Sequence, residues 1–118
     1  MTAKKLVNID TFSCKLQIMI TDDMIKEIIK IYKSYGVNEQ YEGAAEGILI
    51  TGALGTYHLL IDVECLSHNT IAHEIYHATV RITEDRDVVD EETQAWLCGH
   101  LTDIMYKFIK QKNLEIKK

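Results

Sequence analysis

The stretch from Ile71 to Ile82 constrains this chain most. Ile71, Ile75, Ala78 and Ile82 recur at three- and four-residue spacing, the period of a helix that buries one face. On the other side of the same helix His73 and His77 stand one turn apart, so both imidazoles leave from one face. The fold therefore has to pack this helix against a core while leaving a separate polar face free.

The rest of the chain supplies partners for that helix. Residues 14–20 alternate, with Leu16, Ile18 and Ile20 on one side, and predict a half-buried strand. Thr21-Asp22-Asp23 predicts a helix start, with Thr21 as cap and two carboxylates at the positive end of the dipole. Ile25, Ile28, Ile29 and Tyr32 form its expected apolar stripe, and Gly36 is placed to end it. Residues 38–46 have no period and predict a loop. Gly47–Thr51 and Thr56–Val63 are two β-like runs around Gly52-Ala53-Leu54-Gly55, which predicts a hairpin. Ser67 or Asn69 is expected to cap the histidine helix, which should run to about Thr83. A last helix is expected from about Asp90 to Lys112. Proline is absent, so helix ends rest on caps and glycines. The order β-α-β-β-α-α predicts one α+β domain over residues 1–118, a short sheet with helices packed on one face.

Composition narrows the function classes. The chain has 118 residues, 47% of them apolar, enough material for a real core. No run reaches the roughly 18 apolar residues of a membrane span, and the N-terminus has no apolar stretch behind Lys4 and Lys5, so no secretory signal is read. A cytoplasmic location is the expectation. A net charge of −5 leaves no basic excess to displace counterions from phosphates, which argues against nucleic acid as partner. The lysines gather at the ends, and the C-terminal set predicts a solvated, frayed helix end. Cys14, Cys65 and Cys98 are odd in number and scattered, so reduced thiols are expected rather than a disulfide framework.

The chemistry is concentrated in His73-Glu74-Ile75-Tyr76-His77. Two histidines one turn apart can share one metal ion, and a zinc site needs a third protein ligand and an open position for water. Glu74 lies to the side of the pair, badly placed as a ligand but well placed to take a proton from a metal-bound water. Glu84, Asp85, Asp87, Asp90, Glu91 and Glu92 are the acidic candidates for the third ligand. A glutamate on the following helix is favoured, because a packed helix holds a ligand more rigidly than a loop. Periodicity leaves Glu91 and Glu92 open. His100, His68 and Tyr57 are candidates to stabilise an oxyanion. Tyr76 and Trp96 are expected to pack. The spacing Cys65-x-x-His68 lacks a second pair and is not read as a metal site.

His73-Glu74-x-x-His77 with a glutamate on a second helix resembles the gluzincin class of zinc metallopeptidases. The segment Glu92-Thr93-Gln94-Ala95-Trp96-Leu97-Cys98-Gly99-His100-Leu101 resembles small phage and prophage peptidase-like proteins, in which a glutamate is followed by alanine, an aromatic, leucine and glycine at these offsets. The resemblance covers roughly residues 44–110. It implies a small zincin-like domain, Zn2+ held by His73, His77 and Glu92, Glu74 as general base, and a peptide or protein substrate aligned as an added strand on a sheet edge. The chain departs from larger gluzincins at Trp96, where they carry an aspartate that supports a metal-bound histidine.

Overall fold

The computed structural model describes residues 1–38 and 45–117. It is an α+β structure with a four-stranded mixed sheet and three helices. The elements are β1 (Thr2–Ile9), β2 (Cys14–Thr21), α1 (Met24–Ser34), β3 (Gly47–Thr51), β4 (Thr56–Asp62), α2 (His68–Asp85) and α3 (Glu91–Gln111). The sheet order is β1-β2-β4-β3, with β1 antiparallel to β2, β2 parallel to β4, and β3 and β4 forming the expected hairpin. Most of the loop expected at residues 38–46 lies outside the described residues. No helix among the described residues is long and apolar enough to cross a membrane.

The period-two pattern divides the sheet into two faces. Leu16, Ile18 and Ile20 stand in register with Tyr57, Leu59 and Ile61, and all six are buried in one core with α2 and α3. The opposite face presents Met19, Ile50 and Leu60 to Met24, Ile28 and Ile31 of α1, a second and smaller core. The expectation of helices on one face thus holds for α2 and α3 but not for α1. Met19, Ile50 and Leu60 together give the second face an apolar patch, which α1 covers.

β1 is an additional strand. Its pattern is weak because Ala3, Val7 and Ile9 are buried while Lys4, Lys5 and Leu6 are exposed. Lysines on a sheet edge discourage further strand pairing, and that same feature hides the strand from a hydrophobicity reading. The buried stripe of α1 is also rotated from expectation. Met24, Ile28 and Ile31 face the sheet, while Ile25 is 44% exposed. Asp23, not Thr21, caps the helix, accepting from Lys26 N at 3.2 Å, because Thr21 is the last residue of β2. Gly36 follows the helix with φ +76°, a conformation that favours glycine.

The histidine helix forms as its sequence requires. The Ser67 hydroxyl accepts from Thr70 N at 3.1 Å and caps α2. Ile71, Ile75, Ala78 and Ile82 are fully buried, each isoleucine contributing about 1.5–3 kcal/mol of burial. Asp90 caps α3, and Leu97, Leu101, Met105 and Phe108 bury its inner face. The tail beyond α3 is not frayed throughout: Lys117 N donates to Leu66 O at 2.6 Å, which brings the chain end back to the start of α2.

Candidate metal centre

The helix places His73 and His77 as the spacing demands, and the remainder of the fold supplies the walls around them. Both histidines are exposed, and their Nε2 atoms lie 3.0 Å apart. A tetrahedral zinc with nitrogens at 2.0–2.1 Å holds two such ligands about 3.3 Å apart. The separation of the two nitrogens is therefore within a few tenths of an ångström of the one a shared zinc requires. Glu74 Oε1 lies 3.8 Å from His73 Nε2. The three side chains bring one donor atom each within 4.8 Å of one another, a grouping able to hold a metal ion.

Glu74 differs from the histidines in being buried, at 4% exposure. Burial raises the pKa of its carboxyl above the ordinary glutamate value. The charges of His77 and His73 pull it back, and Glu46 adds to the rise. The burial has a specific cause. A Cβ at Gly47 would lie 2.6 Å from Glu74 Cγ, so the first residue of β3 rests directly on this side chain. Gly47 was legible in the sequence only as a strand end; nothing there signalled the close approach.

The histidines open toward β3. A groove of about 360 Å3 runs between that strand, through Gly47, Ile48 and Leu49, and the α2 residues His73, Glu74, His77, Val80, Arg81 and Glu84. β3 ends the sheet order and, among the described residues, pairs with β4 alone, so one side of its backbone borders the groove. Arg81 Nη1 donates to Thr51 Oγ1 at 3.0 Å and closes one end. A second hollow, of about 210 Å3, adjoins at the other end and is lined by Glu46, Gly47, Asn69, Thr70, His73 and Glu74. There Thr70 Oγ1 donates to Glu46 Oε2 at 3.2 Å.

The acidic residues expected to complete the site are distributed otherwise. Glu92 is exposed and lines a separate cleft with Thr11, Thr93 and Trp96. The cause is the register of the two helices. His68 stacks on Tyr106 with ring centroids 5.7 Å apart, so α3 runs antiparallel to α2 and begins beside its far end. Glu92 stands on the order of 7 Å of helix rise beyond His77, and the histidines face β3 rather than α3. Glu91 is exposed in the same first turn of α3, outside the groove. Asp90 is held as the cap of α3, accepting from Thr93 N and Thr93 Oγ1 at 3.0 and 2.6 Å. Asp87 forms the turn between the helices, with φ 54°. Glu84 does reach the groove.

The oxyanion candidates also lie elsewhere. His68 Nδ1 is 2.7 Å from Tyr106 Oη, and His100 stacks on Trp96 at 5.0 Å. Tyr57 is buried, donating to Asp85 Oδ2 at 2.6 Å and accepting from Arg86 Nη1 at 2.8 Å. Arg86 Nε also donates to Phe12 O at 2.6 Å, so this trio ties the end of α2 to β4 and to the β1–β2 connection. Burial and the bond to Asp85 push the Tyr57 phenol up to about 12, against the opposing charge of Arg86. Tyr76 and Trp96, expected to pack, are 64% and 50% exposed. All three cysteines are free. Compared with family models, with curated proteins and with solved structures, the chain matches none.

Proposed function

We propose that this chain is a zinc-dependent hydrolase of peptide bonds. One observation carries the reading: two histidine nitrogens 3.0 Å apart, with a buried carboxylate against them, face a groove bordered by the edge of a sheet. Imidazole and carboxylate donors with a position left for water suit zinc better than magnesium or calcium, which take oxygen ligands.

Zinc, when bound at such a pair, supplies a water acidic enough to lose its proton near neutral pH. The chain's own contribution is proton handling and orientation. Glu74 takes a proton at its carboxylate and returns it to the leaving amine, a role helped by burial, which raises its proton affinity. Gly47 permits this, since any larger residue would displace Glu74 from beneath the strand. The main chain of β3 pairs with an extended peptide and sets it along the groove, so the substrate class is a peptide or an unfolded protein segment. Three free thiols fit action in a reducing compartment such as the cytoplasm.

The test is Glu74→Gln, assayed on an unfolded protein substrate with zinc content measured in parallel. The expected result is full zinc occupancy with turnover lowered by about 10²–10⁴-fold. Cleavage at the wild-type rate would overturn the mechanism. A second reading has its own support: among the described residues, His68, Tyr57 and His100 all stand outside the groove, leaving no histidine or tyrosine beside it to stabilise an oxyanion. On that reading the chain is a metal-binding module that engages one protein partner without general proteolysis. Zinc content without cleavage of any unfolded substrate would favour it.

A further inference from the structure

We propose that the third protein ligand of this centre comes from the strand side of the groove and is Glu46, not a residue of α3. The inference rests on the metal-centre reading above and completes it. His73 and His77 provide two donors, and zinc sites of this kind use three from the protein. The helix that was expected to provide the third turns its candidate into another cleft, with Thr11 and Trp96. Glu46 instead lines the hollow that continues from the groove past His73 and Glu74.

Three features prepare Glu46 for the role. Its backbone is anchored, since its carbonyl accepts from Asp62 N at 2.9 Å and the next residue, Gly47, rests on Glu74. Its carboxylate already points at α2, with Oε2 accepting from Thr70 Oγ1 at 3.2 Å. Thr70 precedes His73 and Glu74 by about one turn on the same helix, and His73 lines the same hollow as Glu46. Glu46 is not within the 4.8 Å grouping of His73, Glu74 and His77. Ligation therefore requires its exposed side chain to leave one hydrogen bond to a neutral hydroxyl and turn about its own torsions. A hydrogen bond to a neutral hydroxyl is weak beside a carboxylate–zinc bond, so its loss does not oppose ligation. Glu74 stays free as proton acceptor in this arrangement. If Glu74 were the third ligand, the proton acceptor would have to be Glu46 or Glu84, the other carboxylates along the groove and its adjoining hollow.

The experiment measures zinc affinity by competition with a chromophoric chelator, and ligand number by the visible spectrum of the cobalt-substituted protein. It compares wild type, Glu46→Gln, Glu46→Asp, Glu74→Gln, Glu92→Gln and His77→Ala, with far-UV circular dichroism to verify folding. Glu46→Gln is expected to weaken zinc by about 100-fold or more, beyond what loss of a merely supporting partner costs, and to change the cobalt spectrum. Glu46→Asp, shorter by one methylene, is expected to fall between it and wild type. Glu74→Gln and Glu92→Gln are expected to hold zinc as wild type does. Wild-type affinity in Glu46→Gln together with loss in His77→Ala would overturn this inference and leave the metal centre standing. Equal affinity in wild type and His77→Ala would overturn both. Loss of zinc in Glu92→Gln or Glu74→Gln, with Glu46→Gln intact, would assign the ligand there instead.

Discussion

The two ends of α2 carry polar clusters built in opposite ways. At its C-terminal end Tyr57, Asp85 and Arg86 satisfy one another. The phenol both donates and accepts, and the guanidinium reaches a backbone carbonyl of the β1–β2 connection as well. Toward the other end His73, Glu74 and His77 are brought together beside open space. The two imidazoles share one hydrogen bond at 3.0 Å, Glu74 lies 3.8 Å from His73, and all three line a groove. A closed polar cluster stabilises a fold, because removing one member strands the others. An exposed one adds little stability, and a cation that replaces the single hydrogen bond between its imidazoles gains two nitrogen donors. On the function proposed above, the first cluster has a structural role and the second a chemical one.

Substitutions at the two ends should therefore move different quantities. His77→Ala removes an exposed ring and is expected to abolish zinc retention while changing the stability of the metal-free chain by no more than about 0.5 kcal/mol. Arg86→Ala is expected to do the reverse. It removes the donors to Phe12 O and Tyr57 Oη, the latter keeping its bond to Asp85, and should lower stability by about 2–3 kcal/mol, with zinc affinity kept. Urea unfolding beside chelator competition reads both. If Arg86→Ala lost zinc while folded, or His77→Ala unfolded, the comparison would fail.

A smaller effect is expected at Gly47, where the two currencies of stability and chemistry meet. Alanine there brings a methyl group to 2.6 Å from Glu74 Cγ, and Glu74 has to yield. The expected cost is about 1–2 kcal/mol of overpacking, with a loss of turnover larger than any loss of zinc. A Gly47→Ala protein with unchanged turnover would mean that the strand does not set the position of Glu74.

The smallest effect is a pH dependence at the closed end. The Tyr57 phenol is pushed up to about 12 in the fold, against 10.0 when free. The native state therefore keeps a proton that the unfolded chain has lost. Stability from this group is complete below pH 10 and declines as pH rises toward 12, by about 1 kcal/mol between pH 10 and 11. Tyr57→Phe lacks that decline, so the stability gap between it and wild type should narrow over this window. A gap that stayed constant would show that the phenol is not held protonated.

Much of this architecture was legible from residue patterns. The alternation of residues 14–20, the glycine-bounded hairpin and the two long amphipathic helices all form within two residues of their expected limits. The failures have definite causes. β1 escaped because an edge strand carrying Lys4 and Lys5 shows little alternation. α1 lies on the face opposite to expectation because the alternation of residues 14–20 marks one buried face only, whereas Met19, Ile50 and Leu60 bury the other. Trp96 was expected to pack because large aromatics usually do, yet its stretch of α3 faces outward and it stacks on His100.

The site divides in the same manner. His73, Glu74 and His77 lie within a single helical turn, and helix geometry alone brings two of them to one face and the third beside it. Local periodicity was sufficient there, because every distance involved is shorter than the helix pitch. What faces that turn is a long-range matter. The antiparallel register of α2 and α3 carries Glu92 into a different cleft, and the packing of α2 beneath the edge of the sheet brings Gly47 onto Glu74 and Glu46 into the hollow beside His73. No spacing along the chain encodes that choice. It follows from which faces of three separate elements are apolar enough to be buried together, and tertiary packing alone decides it.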